Sequence, residues 1–252
     1  MATEMGLGIP VDNQSFNYDS TSSIPWVDFE KVLDAKWFST DIVGAQIVDD
    51  NEHSWRIIKA GDDYYDLWYE ESIGNNVFNS SRGIQQNCYW PQSQLRTNLN
   101  GPLFYDNTAK LPTNMKNRVI DKEVNAAWFK FRGSYQAGGT NKSNDKVWLL
   151  TATEIGAKTV APTIDTAYGA TISAFLIGDG DPYDYFLDDV NKRKSTKNSG
   201  RVAGSYNYMW LATGDWSASL SYAIELSVIA NGSFSGNYVD YSHGVVPGIR
   251  VQ

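Results

Sequence analysis

A chain of 252 residues with a hydrophobic fraction of 42% can bury one large core or two small ones, and its composition is that of an ordinary globular protein. The formal charge of −8 and a pI near 4.8 argue against nucleic acid, whose phosphates call for a basic patch. A single cysteine, Cys88, and two histidines, His53 and His243, leave no internal disulfide, no cysteine-based zinc site and no histidine-rich metal centre, and no apolar run reaches the ~18 residues of a membrane span.

The aromatic content is high, with 9 Trp and 15 Tyr, residues that suit β-rich cores and binding faces alike. The start, Met1 to Gly6, has neither a basic segment nor a long apolar core, so no signal peptide is expected. Residues 1–24 lack apolar periodicity and read as a flexible tail or an arm that orders against a partner. Pro25 opens a short amphipathic helix in which Trp26, Phe29, Val32 and Leu33 share a face. That stripe either packs on the main domain or docks elsewhere. Residues 1–40 are therefore set apart as an arm with a short helix, and residues 41–252 as the domain.

Ile42 to Asp49, His53 to Lys59 and Tyr64 to Glu70 read as three strands of an antiparallel meander, with a turn at Asp49 to Glu52. A helix follows around Leu95 and Leu99, capped by Ser93 and stopped by Gly101-Pro102, after which Leu103-Phe104-Tyr105 plugs an apolar site. A second helix is predicted over about Thr113 to Lys122, with Thr113 as its cap and Met115, Val119 and Ile120 on one face. Val124 to Arg132 returns to strand. Gly133 to Asn144 is Gly-rich and polar and reads as a loop. Lys146 to Leu150 is a short apolar strand, and Thr153-Glu154 suggests a turn into a helix. Residues 157–177 are ambiguous, and Tyr183 to Val190 is helical in pattern. Lys192, Arg193, Lys194, Lys197 and Arg201 form one short basic cluster, read as a solvated loop. Gly178-Asp179-Gly180-Asp181 is an acidic turn without full calcium-loop spacing.

The C-terminal third is the organising sheet. Tyr206 to Leu211 and Ser221 to Ile229 are strands separated at Gly214-Asp215-Trp216. Asn231-Gly232 marks a hairpin, and Asn237 to Tyr241 leads to the last strand, Pro247 to Val251. Tyr206, Tyr208 and Trp210 alternate and so line one side of a strand. Trp216, Tyr222, Tyr238 and Tyr241 are the candidate ligand-binding residues, since Tyr and Trp make stacking contacts at low entropic cost. Arg250 reads as an ion-pair partner. Glu70-Glu71, Asp179 with Asp181 and Asp188-Asp189 are the carboxylate pairs a hydrolase would need. No nucleophile elbow, zinc-protease or phosphate-loop motif accompanies them, and no catalytic residue is assigned.

The order Ser93 to Asn100, Leu103-Phe104-Tyr105, Met115 to Ile120, Asp145 to Thr151 with Glu154, Tyr208 to Leu211 and Gly248-Ile249-Arg250 resembles a lectin-like domain of unknown function from Gram-positive bacteria and their phages. That family is related in fold to C-type lectins and formylglycine-generating enzymes. The resemblance covers roughly residues 41–252. It departs from the family at Asn98-Leu99-Asn100, where Trp-Leu-Asn is usual. It departs again at Trp210-Leu211-Ala212-Thr213, where Trp-Leu-Arg-Ser is usual, and after Arg250, where proline is usual. The resemblance implies an α+β, C-type-lectin-like fold with antiparallel sheets, two short helices and long loops, and places Trp210 in the core. Cys88 stands alone, so formylglycine-generating chemistry does not carry over. The Glu-Pro-Asn and Gln-Pro-Asp loops of calcium-dependent sugar binding are absent.

These readings lead to a non-enzymatic, virion-associated phage protein (tail, fibre or head decoration) that recognises a host-surface glycan or protein. It would attach to other virion proteins through its N-terminal arm, act as a homo-oligomer, and need no cofactor or metal. A purely structural virion scaffold is the alternative, and a hydrolase of cell-surface polymers a further one.

Overall fold

A computed structural model describes residues 16–131, 135–155, 181, 183–187, 208–217, 220–227 and 234–252. Of these, residues 129–131, 135–138, 187, 208, 215–217, 220–227 and 234–237 are described in backbone only. The basic cluster at 192–201, the Asn231-Gly232 turn and residues 157–177 lie outside the described residues.

The architecture is α+β and mostly β, with strands numbered in chain order. The first sheet runs β1 (Ser23–Pro25), β2 (Gln46–Val48), β3 (Ser54–Ala60), β4 (Tyr65–Tyr69), β14 (Gly248–Val251) and β6 (Val119–Ile120), with β9 (Val147–Trp148) also paired to β14. The second is built around β10 (Tyr208–Ser217). It is flanked by β11 (Leu220–Ser227) and β12 (Phe234–Tyr238) on one side. On the other lie β13 (Ser242–Gly244) with β5 (Asn75–Val77), and β7 (Lys122–Phe131) with β8 (Tyr135–Asp145). The α-helices among the described residues are short: α1 (Trp26–Asp34), α2 (Gln94–Leu99), α3 (Thr113–Asn117) and α4 (Asp184–Leu187).

The meander forms as β2, β3 and β4, antiparallel throughout. Its first turn closes on Asp49, whose Oδ1 accepts from the Asn51 and His53 amides at 2.9 and 3.0 Å and whose Oδ2 accepts from Trp55 Nε1 at 2.9 Å. The residue-40 boundary is not marked by any break in packing. Strand β1 pairs in parallel with β2, and Ile24, Trp26, Phe29, Val32 and Leu33 are buried in the common core. The helix stripe is thus a core face.

The sheets, expected to be antiparallel, are mixed, with β1–β2, β10–β13 and β10–β7 parallel, and three individual elements also differ from the sequence reading. The second helix stops at Asn117 and is capped by Pro112 without a side-chain bond from Thr113. Val119 and Ile120 instead pair with Val251 and Arg250, because the free edge of β14 offers a ladder that a lone helical turn cannot match. The Gly-rich stretch expected as a loop is β8, paired along its length with β7. Its polar residues alternate in exposure over 141–145, the period of a strand whose outer face is solvated, which a hydrophobicity search misses. Gly214-Asp215-Trp216 continues β10 and does not end it. The irregularity sits between Trp210 and Gly214, where the Ala212 amide turns to Leu150 O at 2.9 Å. Gly214 is required there, since a Cβ would lie 2.1 Å from the Cys88 carbonyl oxygen.

The motif residues are the fold's fasteners. Ser93 caps α2 through the Arg96 amide at 3.0 Å. Arg96, Trp90 Nε1 and Ser143 Oγ all donate to the buried Asp145 carboxylate. Asn100 grips the chain entering β9, accepting from the Lys146 and Val147 amides at 3.0 Å each and donating to Val147 O at 2.7 Å. Trp210 is buried, donates to Asn76 O at 2.8 Å, and meets the His243 ring edge-on with centroids 4.5 Å apart.

The densest set of charges lies between β4 and β14. Arg250 stands opposite Asp66 in register and donates to both its oxygens at 2.7 and 3.0 Å. Tyr183 Oη donates to Asp66 Oδ2 at 2.8 Å. Beside it, Lys122 donates to Glu154 at 2.6 Å and sits 3.7 Å from the Trp148 ring centroid. Glu154 also accepts from the Thr151 amide while Thr151 Oγ1 accepts from the Glu154 amide, at 2.9 and 3.1 Å, a reciprocal capping box. Two carboxylates and two cations thus balance in a buried space, where a single unpaired charge would be costly. Burial, then the charges of Asp66 and Glu154, push the Tyr183 phenol well above its ordinary value; burial does the same to Tyr65.

Arg250→Met leaves Asp66 buried without its ion-pair partner and should cost about 3–5 kcal/mol in urea unfolding, with Asp66→Leu in the same chain recovering most of it. A cost within ~0.5 kcal/mol, the level of a neutral surface change, would contradict this. Gly248→Ala would put a Cβ 2.3 Å from the Trp148 ring and should cost about 1–3 kcal/mol by overpacking. With Tyr183 and Tyr65 raised in the fold, the native state holds their protons more tightly than the unfolded chain. Their contribution is full below pH ~10 and falls as pH rises above it. The urea midpoint should therefore drop above that pH, and drop less in Tyr183→Phe.

Candidate functional site

The charged residues of the core are engaged in holding it. Glu70, one of the carboxylates paired in sequence, is buried against Arg56 and accepts from Gln46 Nε2 at 3.0 Å, while Glu71 is exposed. Asp181 is exposed; Asp179, Asp188 and Asp189 lie outside the described residues. No group of three or more His, Cys, Asp or Glu side chains is placed to hold a metal among the described residues.

The register places Trp216, Tyr222 and Tyr238 on three neighbouring strands, β10, β11 and β12. Tyr222 stands opposite Tyr238 in the β11–β12 register, and Trp216 belongs to the neighbouring β10–β11 pair with Ser221. The side chains of Trp216 and Tyr222 lie outside the described part. Tyr238 and Tyr241 are described fully and meet: their rings are edge-on, with centroids 5.3 Å apart.

Those two tyrosines flank a tight turn closed by the Tyr241 amide donating to Tyr238 O at 2.9 Å. Between them, Val239 is fully buried, and its carbonyl accepts from the Asn79 amide at 2.9 Å. The turn is therefore anchored from below. Tyr238 is half-buried and Tyr241 is 47% exposed, one of the few large hydrophobic side chains so placed among the described residues. Arg82, from the loop after Asn79, lays its guanidinium 4.1 Å from the Tyr238 ring centroid and its Nε 3.5 Å from Asp240 Oδ2. That loop is itself held down. Asn79 Oδ1 accepts from the Gln94 amide at 2.8 Å, and Asn79 Nδ2 donates to Asn87 O at 2.6 Å. Ile84, exposed, extends the same loop.

The result is a fixed surface of two rings, a guanidinium and a carboxylate. Cation–π contact orders Arg82 over Tyr238, so its remaining N–H groups are presented in one geometry. Such a surface can stack, donate and accept. It has no nucleophile with an adjacent base.

A concavity of about 360 Å³ elsewhere on the surface is lined by Thr40, Val43, Ile58, Lys59, Ala60, Tyr183 and Asp184. It opens where β3 is irregular between Ile57 and Lys59. Lys59 Nζ lies 5.1 Å from the Tyr183 ring centroid at its wall.

One family model matches the chain, over residues 58–252: Domain of unknown function (DUF6273). The chain belongs to the DUF6273 family. The matched range starts within β3, so β1, α1 and β2 precede it although they share the DUF6273 domain's core. No curated protein and no solved structure matches. The DUF6273 range includes Arg82, Tyr238, Asp240 and Tyr241. Sequence patterns alone do not pick out Arg82 or Asp240. A lone arginine in a Ser-rich turn carries no local signal, and only the pairing of residue 79 with 239 brings it to Tyr238.

Proposed function

We propose that this chain is a non-enzymatic recognition protein of a phage virion, with a C-type-lectin-like domain that binds a host-surface glycan or protein. The observation that carries the reading is the pair Tyr238 and Tyr241, held outward on a turn whose centre is pinned in the core. Exposed aromatic rings on a rigid element are the usual anchors of binding surfaces, since little entropy is lost on contact. The return of the last strand to the middle of the first sheet, after an excursion that builds the second, supports the lectin-like fold. The order of sequence motifs supports the virion setting, with attachment to other virion proteins through the N-terminal segment and avidity through repetition in a homo-oligomer.

Fluorescently labelled full-length protein should adhere to Gram-positive cells or their isolated walls, and Tyr241→Ala should weaken adherence at least about tenfold. Its unfolding free energy should stay within ~0.5 kcal/mol of the parent, as for other exposed positions. Equal adherence of parent and variant would overturn the assignment of this surface. Turnover of wall polymer that disappears on replacing one carboxylate would overturn the non-enzymatic reading.

A further inference from the structure

We infer that Arg82, Tyr238, Asp240 and Tyr241 form a metal-independent site for an uncharged pyranose sugar, an inference that rests on the recognition reading above. Three observations select the ligand class. First, Tyr241 is exposed beside the edge of a second ring, so it offers an apolar face of the size of one sugar ring. The axial C–H groups of a pyranose pack on such a face.

Second, the polar groups beside it come as a donor and an acceptor together. Arg82 offers N–H groups, and its one carboxylate partner here, Asp240, is met at 3.5 Å, longer than a close ion pair. Asp240 Oδ1 is buried and makes no hydrogen bond among the described residues, so the oxygen left for a ligand is Oδ2, beside Arg82 on a side chain 30% exposed. Each carboxylate oxygen can accept about two hydrogen bonds and a guanidinium can donate five, so Asp240 Oδ2 and Arg82 retain capacity. Vicinal hydroxyls, each a donor and an acceptor, match that mixed pair. A phosphate or carboxylate ligand would match Arg82 but meet Asp240 and the overall charge of −8.

Third, the one carboxylate of this cluster is already faced by a cation. Coordination of calcium takes several oxygen ligands of high negative charge, and among the described residues this surface supplies one carboxylate, already facing a guanidinium. Recognition then runs through the ring and the Arg82–Asp240 pair directly.

The test is an amide-resolved NMR titration of the full chain with methyl β-D-galactopyranoside, methyl α-D-glucopyranoside and N-acetylglucosamine, repeated with EDTA and with inorganic phosphate as an anionic probe. Saturable shifts confined to residues 79–84 and 238–242 are expected for at least one sugar. They should be unchanged by EDTA and absent with phosphate. Tyr241→Ala and Arg82→Ala should each weaken the response at least about tenfold. Tyr241→Phe, which keeps the ring, should retain it.

Sugar shifts abolished by EDTA, or retained in Tyr241→Ala, would overturn the inference. So would the absence of any saturable shift in a protein that still adheres to cells through Tyr241, an outcome that leaves the recognition reading standing. Loss of adherence and of shifts together would overturn both.

Discussion

The ion pair between Arg250 and Asp66 is the interaction on which the rest of the molecule depends. It lies directly across β14 and β4, so it joins the last strand of the chain to the early meander. Around it, β14 is closed on its other edge by β9 and β6. Tyr183 reaches Asp66 from a distant part of the chain, and the Lys122–Glu154 pair stands beside Tyr183. Segments far apart in sequence therefore meet at one electrically balanced point. A buried pair of this kind adds little net stability over an apolar pair, but it penalises any arrangement in which one partner is missing. It thereby fixes the register of a four-residue strand too short to be fixed by its own ladder.

The same register carries the position of the proposed recognition surface. Strand β13 lies three residues before β14 and pairs with β10 and β5. The turn at Tyr238 to Tyr241 immediately precedes it, held by Val239 below and by the Asn79 backbone at the side. Once β14 is seated, the turn has little freedom, and the two rings project where the arginine loop can reach them. Rigid placement of this sort matters for weak ligands, because the entropy of ordering a loose side chain would offset much of the contact energy.

Much of the fold is legible in the sequence because its signals are local. The meander, Ser93 as a cap and the ion-pair role of Arg250 each follow from a residue type in a recognisable pattern, while the burial of Trp210 follows from the resemblance. What is not legible depends on pairing at a distance. β8 is a polar edge strand that owes its form to β7. Val119 and Ile120 look helical beside Met115, and only the free edge of β14 makes them a strand. Gly214 looks like a turn, when its missing side chain makes room for the Cys88 carbonyl. The surface is half legible: aromatic content points to Tyr238 and Tyr241, but the Arg82–Asp240 partnership arises only from the contact of two loops. The motif residues that carry the resemblance turn out to be fasteners of the core, while the proposed recognition surface is formed by residues outside those motifs.

The proposed recognition face, the Tyr238–Tyr241 turn together with the Arg82 loop, is tested most directly by hydrogen–deuterium exchange. The full-length protein is compared with and without isolated Gram-positive cell walls, a comparison that works whichever wall component is bound. Protection should concentrate in peptides covering residues 79–84 and 238–242, with the core strands unchanged. Protection confined instead to peptides 40–43 and 58–60, around the cleft beside Lys59, would contradict the proposal and move the site to that cleft.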